Sequence, residues 1–498
     1  MEYFIGLDIG TSSAKAVAFL ADGSILAKHS VTYGTYHPNA DWCEQDPYEI
    51  IEATIQCMNK IAGILHEHQP LFVSFSAALH GLIVVGDNDQ LLTRCIIYSD
   101  NRASAIAEQL RSTETGKEFY NSTGVPVHAM SPLCKLIWLK ENRLEIFCNS
   151  SKFISIKEFV LHSFFGKYIV DTAVASATGL LNIRSLEWDE TILDFIGIDT
   201  SLLSTLVSTH HIEYLPVDQP FTKRLPAFKN TAFVMGGSDG GLANFGSGAM
   251  EKGTLAITIG TSGAARMVTR QVHTDSRMRT FCYHLKEDYF ITGGASNNGG
   301  IVLQWLKENI LQNGETTEEF FNLAATISPG SEDLLFLPYI LGERAPLWNS
   351  NAKGVFFGLS ITHGRAHLVR AAMEAVIYNL YSIGKILIEK EPVNIIYANG
   401  GFANSTSWIQ MLADVFNIPV FVNGIEESSA WGAARIGMEA TGLQPQQVIT
   451  AIGKTYEPCA AKHLVYSACC KKFERLYDLV KNEFAAPALA LEPADDKI

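Results

Sequence analysis

Two short segments of this 498-residue chain resemble each other, and this internal duplication constrains the fold more than any other feature. Residues 5–14 read IGLDIGTSSA, and residues 255–264 read LAITIGTSGA. Each segment predicts an apolar strand, a Gly-Thr-Ser turn and a returning strand, which together form a β-hairpin. Because the copies lie about half the chain apart, we predict two similar α/β domains, 1–245 and 246–498.

The chemistry of the two turns suits a phosphate ligand. Gly10 and Gly260 let the backbone turn tightly and approach a ligand closely, so the hydroxyls and N–H groups that follow can face an oxyanion. Either turn alone is more often a plain hairpin, but two copies in similar strands favour a pair that clamps a polyphosphate. Only the first copy carries a carboxylate, Asp8, where the second has Thr258, and a carboxylate suits a metal ion held over phosphates.

Composition excludes several classes of function. The chain carries 38 Lys and Arg against 52 Asp and Glu, a net charge of −14 that argues against a nucleic-acid partner. Its nine cysteines form no CxxC pair, and no basic leader precedes the first strand, so we expect a cytoplasmic protein. Residues 368–388 are apolar but carry Arg370, Glu374 and Lys385, which predicts a helix packed on a core and not a membrane span.

Two glycine-rich turns follow predicted strands. Asp239 stands within GGSDGG, where a carboxylate at a strand end is either an active-site group or the cap of the next helix. Gly400 and Gly401 form the corresponding turn of the second half and could lie flat against a nucleoside, although Asn404 or Ser405 could equally be a helix cap. The periodicity predicts strands over 71–76 and 82–85, helices over 47–66 and from 132, and helices near 301–311, 366–391, 407–416 and 430–441, with a frayed tail from 485.

Other polar residues are ambiguous on sequence grounds. A lone histidine such as His80 is more often structural than functional, and Asp100 with Arg102 is more often a structural ion pair. A functional role for His80 or for the Asp100–Arg102 pair is favoured only if the residues lie near Asp239. The chain has no P-loop and no GxGxxG after its first strand, so phosphate binding would depend on the paired hairpins, and a dehydrogenase is disfavoured.

Three long motifs resemble those of the FGGY carbohydrate kinases. They are MSPLCKLIWLKEN at 130–142, GERAPLWN at 342–349, and GVFFGL with HLVRAAME at 354–359 and 367–374. The resemblance runs from Tyr3 to about Gly442. It implies two duplicated actin-like, ribonuclease H-like domains of the hexokinase superfamily, with a nucleotide-and-sugar cleft between them, and it implies ATP and Mg²⁺ as cofactors.

The resemblance also implies roles for individual residues. Asp239 corresponds to the catalytic base, and Asp8 to a catalytic carboxylate that works with Mg²⁺ near the γ-phosphate, so both are predicted to hold the metal. Predicted ATP-binding residues are Thr11, Ser12, Lys15, Gly260, Thr261, Ser262, Gly300, Gln304, Gly400, Gly401 and Ser405. Predicted substrate-binding residues are Leu79, His80, Met130 and Asp239.

Within the family, segments 126–133, 156–158, 173–177, 237–240 and 297–300 resemble the gluconate kinases. This implies ATP-dependent phosphorylation of D-gluconate to 6-phosphogluconate, with the sugar acid and MgATP as the only partners and neither membrane nor nucleic acid involved. Lys135, Arg344, Asn297 and His80 are candidates for binding the substrate carboxylate, and a homodimer is left open.

Two rival functions remain at this point. Leu79-His80 stands where pentulose kinases carry Met-His and glycerol kinases Arg-Glu, so a pentulose kinase such as xylulokinase stays open while glycerol is disfavoured. The second rival is an actin-like nucleotide-binding regulator without catalysis. The intact Asp239 and the GERAPLWN loop argue against it.

Overall fold

The computed structural model describes residues 2–217, 220–312, 316–425, 427–443 and 453–485. The chain divides into two compact units. The first comprises Met1–Ala256, Arg266–Gly293 and Asn423–Gly453, and the second comprises Ile257–Ala265, Gly294–Val422 and Lys454–Ile498. The first unit is therefore built from three separate stretches of sequence, and a late segment of the chain completes it.

A six-stranded sheet organises the first unit. Its strands lie in the order Ile212–Glu213, Ala232–Ser238, Pro70–Ala77, Tyr3–Ile9, Ser13–Phe19 and Ile25–Thr32. The three central strands are parallel to one another, whereas the strands outside them pair antiparallel. The first predicted hairpin, Tyr3–Ile9 with Ser13–Phe19, is confirmed.

Both faces of this sheet are buried, which explains why its central strands are apolar throughout. Alternate residues of the first strand point to opposite faces. Tyr3, Ile5, Leu7 and Ile9 belong to one core, which they share with helix Pro47–Ile64. The other core contains Phe4, Phe72, Leu242 and Phe245, together with Ala430 and Trp431 of helix Ser428–Thr441.

Helix Ser428–Thr441 packs unusually close to its neighbours because glycines leave it room. A Cβ at Gly6 would collide with the carbonyl of Ala430, and a Cβ at Gly432 would collide with the carbonyl of Leu242. Side chains at either position would force the helix away from the sheet or from helix Asp239–Gly246. Asp8 lies on the same face of its strand as Gly6, so this packing brings the start of the helix toward Asp8.

The remaining elements of the first unit surround this sheet. The other helices are Ser104–Arg111, Glu114–Thr123, Pro132–Asn142, Leu144–Cys148, Ile156–Phe165, Thr172–Ala175 and Glu190–Ile196. The short strands are Glu44–Gln45, Ile83–Val85, Cys95–Ile96, Lys152–Ile154, Ile169–Asp171, Leu181–Asn182, Glu187–Trp188 and Thr205–Val207. Strand Phe281–Lys286 pairs antiparallel with strand Tyr289–Ser296, up to Gly293 within this unit.

The second unit contains the turn of the second hairpin, between strands Thr254–Ile259 and Gly263–Thr269, which are neighbours in one sheet as predicted. Strands Ile395–Asn399, Val420–Val422 and Lys454–Tyr456 follow Thr254–Ile259 in the sheet order. The other strands are Leu335–Pro338 and Gly354–Phe357. The helices are Gly300–Trp305, Thr317–Ala325, Arg365–Lys390, Thr406–Phe416 and Ala460–Val480.

Most predicted elements are present, with two differences. Helix Gly300–Trp305 continues as a π-helix over Leu306–Leu311, where the sequence predicted one α-helix. The predicted tail lies, from residue 486, outside the described residues. Helix Arg365–Lys390 is the one described helix with the length and apolarity to cross a membrane, and 83% of its most apolar window is buried inside the structure.

Candidate active site

Three parallel strands of the first unit end at the same edge of the sheet. In the ladder Ala77 pairs with Ile9 on one side and with Ser238 on the other. The residues that follow these strands therefore emerge side by side, and they include Gly10 and Asp239. Ligands of α/β proteins bind outside the carboxyl ends of parallel strands.

Asp8 lies just before this edge and is held from both neighbouring strands. The Ser76 hydroxyl, from the adjacent parallel strand, donates to Asp8 Oδ1 at 2.7 Å. Lys15 is the cross-strand partner of Asp8 in the hairpin. Its ammonium is paired with Glu427 Oε2 at 2.5 Å. Glu427 directly precedes helix Ser428–Thr441 and has a left-handed backbone, with φ 56°.

Burial raises the pKa of Asp8 to about 6, the Ser76 hydrogen bond opposes this rise, and the charge of Asp239 adds to it. Asp8 and Asp239 are therefore close enough to repel each other when both are ionised. A bound cation would relieve that repulsion. Among the described residues there is no cluster of three or more His, Cys, Asp or Glu side chains that could hold a metal ion alone.

Two carboxylates nevertheless fit one particular kind of cation site. Small hard divalent ions keep several waters and are held by one or two carboxylates together with substrate phosphates. Asp8 and Asp239 would supply two such oxygen ligands, and nucleotide phosphates would supply the others. The residues present thus fit a metal that arrives with its nucleotide.

Asp239 is the first residue of helix Asp239–Gly246, and it is not the cap of that helix. Ser238 is the N-cap, and its hydroxyl accepts from Gly241 N at 3.3 Å. Asp239 Oδ1 accepts from Gly240 N at 2.6 Å, and the Ser429 hydroxyl donates to the Asp239 carbonyl at 3.3 Å. The capping alternative for Asp239 is wrong, because the preceding serine fulfils that role.

Two helices of the first unit begin at this site, and their N-terminal N–H groups favour bound anions. One begins at Asp239 and the other at Ser428, and the Ser429–Asp239 hydrogen bond joins their first turns. An anionic group placed near both helix starts would be stabilised from two directions.

The first predicted phosphate turn is held from its carbonyl side. The Tyr33 hydroxyl donates to Gly10 O at 2.5 Å, Gln45 Nε2 donates to Thr11 O at 2.7 Å, and Tyr33 N donates to Ser12 O at 3.2 Å. Thr11 and Ser12 themselves are exposed. The turn is thus rigid on one side and open to a ligand on the other.

The second predicted phosphate turn lies in the second unit and is fixed to the start of helix Gly300–Trp305. Gly260 O accepts from Gly300 N at 2.7 Å, and Thr261 O accepts from Ile301 N at 3.1 Å. A Cβ on Gly300 would lie 2.8 Å from Gly260 O, so only glycine permits this approach. Gly260 and Thr261 are exposed and Ser262 is half-buried.

The Gly400–Gly401 turn joins the same region of the second unit. Gly400 has φ 99°, and a Cβ there would lie 2.5 Å from Ile259 O, the residue before the phosphate turn. A Cβ on Gly401 would meet no described atom within 4 Å. Ser405 is the N-cap of helix Thr406–Phe416, as one of the two alternatives predicted, and it accepts from Trp408 N at 3.4 Å.

Gln304 lies one turn into the helix that begins at Gly300. Its side-chain amide donates to Glu308 Oε1 at 3.0 Å on an exposed face. The backbones of Gly300 and Gly400 thus both approach the end of strand Thr254–Ile259, Gly300 at Gly260 and Gly400 at Ile259.

The predicted substrate residues lie in the first unit. His80 has φ 67°, its Nδ1 lies 3.0 Å from Ala177 O, and its Nε2 lies 3.5 Å from the Tyr283 hydroxyl. A strained backbone at a non-glycine residue often marks a functional position. Leu79 is half-buried against Tyr283 and its neighbours, whereas Met130 is only 2% exposed.

Lys135 was one candidate for the substrate carboxylate, and the structure assigns it other partners. Its ammonium is fully buried and donates to the carbonyls of His80, Ile96 and Ile97 at 2.6, 3.0 and 2.9 Å. Burial lowers its pKa to about 8. Lys135 therefore holds the backbone of His80, and that candidacy is wrong because its three donors are already used.

The other candidates lie in the second unit or at His80. Arg344 Nη2 donates to Ser296 O at 3.3 Å, and Asn297 Nδ2 donates to Leu341 O at 3.1 Å. Both residues lie next to Glu343, whose buried carboxylate accepts hydrogen bonds from Ser296, Asn297 and Asn298. The GERAPLWN loop is thus anchored by a buried carboxylate in the middle of a polar network.

Asp100 and Arg102 form a buried ion pair, as the structural alternative predicted. Arg102 Nε donates to Asp100 Oδ1 at 2.8 Å, and Arg102 Nη2 also pairs with Glu44 at 2.6 Å. The guanidinium lies 3.8 Å from the centre of the Trp42 ring. Stacking and pairing together give this arginine a structural role.

Several residues that support the site were missed in the sequence. Ser76 could have been found from the parallel pairing of its strand with that of Asp8. Glu427, the buried pair Lys157 and Asp171, and Arg266 beside Gly240 carry no sequence signal, because their partners are remote along the chain.

Glycine turns that meet at one strand end in the second unit, and carboxylates at the ends of parallel strands in the first, are the parts of an enzyme that positions and neutralises a phosphoryl group. Comparison with known proteins agrees. Residues 3–246 match the N-terminal domain, and residues 255–441 the C-terminal domain, of the FGGY family of carbohydrate kinases. The chain therefore belongs to the FGGY family of carbohydrate kinases.

Individual relatives are similar over nearly their whole length. The chain is 40% identical to a gluconokinase of Bacillus subtilis and 29% identical to a xylulose kinase of the same organism, each comparison covering at least 96% of both chains. A solved structure of gluconate kinase from Lactobacillus acidophilus matches with a TM-score of 0.92 at 32% identity, over 97% of this chain and 99% of that one.

The family defines the fold and the reaction class. The duplicated actin-like, hexokinase-type fold predicted from the sequence is confirmed. The protein is a carbohydrate kinase, and ATP is its phosphoryl donor.

Proposed function

We propose that this carbohydrate kinase phosphorylates the terminal hydroxyl of D-gluconate to give 6-phosphogluconate. The observation that carries the proposal is the 40% identity to a gluconokinase over 97% of the chain, against 29% to a xylulose kinase over a similar length. The likeness to a solved gluconate kinase, with a TM-score of 0.92, supports the same acceptor.

Asp239 is proposed as the catalytic base. A carboxylate within hydrogen-bond reach of the substrate hydroxyl can orient it and accept its proton as the new bond to phosphorus forms. The position of Asp239 at the carboxyl edge of three parallel strands, beside Asp8, supports this role. The reaction is then in-line phosphoryl transfer from ATP to the acceptor oxygen.

Asp8, with Asp239, is proposed to hold Mg²⁺ that enters with ATP. Bound there, Mg²⁺ would neutralise charge on the transferring phosphoryl group. Ser76 keeps the Asp8 carboxylate oriented by its 2.7 Å hydrogen bond, and Lys15 lies opposite on the hairpin. The two Gly-Thr-Ser turns are proposed to bind the phosphates.

The sugar and the nucleotide are proposed to bind to different family domains. We propose that residues 1–245 bind the sugar through Leu79, His80 and Met130 and carry the first phosphate turn. Residues 246–498 would carry the second turn and bind adenosine near Gly400. Asn423–Gly453, which returns to the first unit, would add Glu427 to the first phosphate turn. Cytoplasmic location and a homodimer remain predictions.

A substrate screen tests the acceptor. The purified protein would be mixed with MgATP and gluconate, xylulose, ribulose, glycerol or fuculose, and ADP release would be coupled to NADH oxidation. We expect the highest kcat/KM with gluconate. A higher value with xylulose or ribulose would make the protein a pentulose kinase, which the 29% relative keeps as the second candidate.

The same screen tests the non-catalytic alternative. ATP binding measured by calorimetry, without ADP release for any acceptor, would support a nucleotide-binding regulator and contradict the proposal. Product identity should be checked by mass and by phosphorus NMR, because a primary phosphate ester at carbon 6 is the expected product.

A further inference from the structure

The segment that leads into helix Gly300–Trp305 is held by the buried carboxylate of Glu343. Within the described residues, this carboxylate accepts five hydrogen bonds. Oε1 accepts from the backbone N–H groups of Asn297 and Arg344 at 2.9 and 2.7 Å, and Oε2 accepts from the side chains of Ser296, Asn298 and Asn379 at 2.8, 3.0 and 2.9 Å. Three of the five donors therefore belong to residues 296–298, which directly precede Gly299 and Gly300.

The loop that carries Glu343 binds this segment a second time, through Asn298. Asn298 Nδ2 donates to Gly342 O at 2.7 Å, and Asn298 Oδ1 accepts from Leu341 N at 3.3 Å. Glu343 and Asn298 are both fully buried. Neither side chain is accessible to a ligand, so an effect of either residue on nucleotide binding must pass through the backbone.

The two glycines that follow the segment contact the second Gly-Thr-Ser turn directly. Gly299 N donates to Thr261 O at 3.2 Å, and Gly300 N donates to Gly260 O at 2.7 Å. A Cβ on Gly299 would lie 2.4 Å from the carbonyl carbon and oxygen of Ser262. Because the contact is this close, a shift of the glycines would move the turn with them.

The arrangement of donors requires a carboxylate at position 343. A carboxylate only accepts hydrogen bonds, and each oxygen of Glu343 faces at least two N–H or O–H donors. Glutamine has the same size, but its amide nitrogen would face donors in either orientation. Buried donors would then lose their acceptor, which is costly, so the segment would shift away from its position.

We propose that Glu343 is a positioning residue for nucleotide binding. It fixes residues 296–300 and, through Gly299 and Gly300, holds the second Gly-Thr-Ser turn in the geometry that receives the phosphates of ATP. This inference rests on the proposed phosphate-binding role of that turn. A misplacement of about 1 Å in a group that positions a substrate can cost about 10²-fold in activity, so a residue without ligand contact can control binding.

Glu343→Gln tests the inference, with Glu374→Gln as the matched control in the same unit. Glu374 is also buried, accepts from Gly330 N and Ser331 Oγ at 3.0 Å, and pairs with Arg370 at 2.7 Å. Both variants lose hydrogen bonds of a buried carboxylate, and both should unfold at a lower temperature. Only Glu343→Gln removes the contacts to residues 296–298.

Steady-state kinetics and calorimetry provide the readout. We expect Glu343→Gln to raise both the KM for ATP and the Kd for ADP about 10-fold, while the KM for the acceptor stays unchanged. Glu374→Gln should keep wild-type values of all three constants. The assays use whichever acceptor the wild type phosphorylates, so they do not depend on gluconate being the substrate.

Asn298→Ala is the second variant, and it leaves the carboxylate in place. It removes the contacts of Asn298 to Glu343, Gly342 and Leu341, so the Kd for ADP should rise in the same direction, by a smaller factor. Thermal unfolding establishes that each variant is folded at the assay temperature. If Glu343→Gln does not fold, the result with Asn298→Ala decides.

Gly300→Ala separates this inference from the role of the turn itself. Its Cβ would lie 2.8 Å from Gly260 O and displace the turn directly. If Gly300→Ala raises the Kd for ADP but Glu343→Gln does not, the inference is overturned and the turn remains a phosphate site. If neither variant changes the Kd for ADP, the phosphate role of the turn is wrong and the inference fails with it. Equal rises in Glu343→Gln and Glu374→Gln would also overturn the inference, because general loss of stability would explain both.

Discussion

Lys157 and Asp171, both fully buried, form an ion pair at 2.5 Å next to the backbone that leads to Asp239. The Lys157 ammonium also reaches Gly237 O at 3.4 Å, two residues before the proposed base. Asp171 in turn accepts from Val174 N and caps the short helix Thr172–Ala175. Burial lowers the pKa of Lys157, and the charge of Asp171 opposes that shift.

Removing one partner of this pair should be costly. Lys157→Met leaves Asp171 as an unpaired buried charge, so we expect a loss of about 3–5 kcal/mol in the free energy of unfolding, measured by urea denaturation. Lys167→Met is the matched control, because Lys167 forms an exposed pair with Glu213 at 2.9 Å, worth at most about 1 kcal/mol. An equal loss of unfolding free energy in the two variants would show that the buried Lys157–Asp171 pair stabilises the protein no more than an exposed pair does.

Asp239→Asn should abolish turnover without preventing nucleotide binding. Asparagine keeps the shape of the side chain but cannot accept the hydroxyl proton, so kcat should fall by about 10²- to 10⁴-fold. Calorimetry should show ATP binding close to that of the wild type. Asp194→Asn, at an exposed position, is the control for a simple loss of charge. If Asp239→Asn kept wild-type turnover, Asp239 would not be the catalytic base.

Asp8 should make the metal-free protein less stable as pH rises. Its pKa is about 6 in the folded protein against an ordinary 3.8, so the folded state holds a proton that the unfolded chain releases between these values. Stability therefore falls as pH rises through this window, and Asp8→Asn should add about 1–2 kcal/mol at pH 7 and nothing near pH 3. Denaturant unfolding without Mg²⁺ at both pH values measures this difference.

The same carboxyl should limit activity at low pH. The ionised form of Asp8 is the proposed metal ligand, so kcat/KM should decline below about pH 6. The Ser76 hydrogen bond lowers the pKa of Asp8, so Ser76→Ala should move this decline to higher pH. A pH profile that is unaffected by Ser76→Ala would contradict the coupling.

Adjacent glycines of the second unit should respond differently to substitution. Gly400→Ala places a Cβ 2.5 Å from Ile259 O at a φ of 99°, so we expect a loss of at least about 1–3 kcal/mol in stability. Gly401→Ala meets no described atom within 4 Å and should leave stability unchanged. If Gly401 faces adenosine, Gly401→Leu should weaken ATP binding in calorimetry while the thermal unfolding temperature stays constant.

Local signals in the sequence predict much of this fold and part of the site. The hairpin at Asp8 and the turn at Asp239 follow from glycine spacing and apolar runs, and helix Pro47–Ile64 follows from its Asp-Pro start. These features depend on neighbours in the sequence. They are therefore visible without coordinates.

The supporting contacts could not be predicted because they join distant parts of the chain. Lys15 and Glu427 are separated by 412 residues, and the Ser76–Asp8 pair by 68. Lys135 is a sequence candidate for the substrate carboxylate and lies in a general family motif, yet its ammonium is directed at backbone carbonyls that only the folded chain brings together. The π-helix at Leu306–Leu311 likewise has no signal in the local pattern.

Because Asn423–Gly453 belongs to the first unit, the chain cannot be cut at one position into two independently folding halves. Trp431 packs on Phe4 and Phe19, with ring centres 6.4 and 5.1 Å away, and Ala430 contacts Gly6. A fragment cut at residue 245 would present this apolar sheet face to water and would aggregate. A soluble half-protein would need residues 423–453 grafted back, for example by circular permutation.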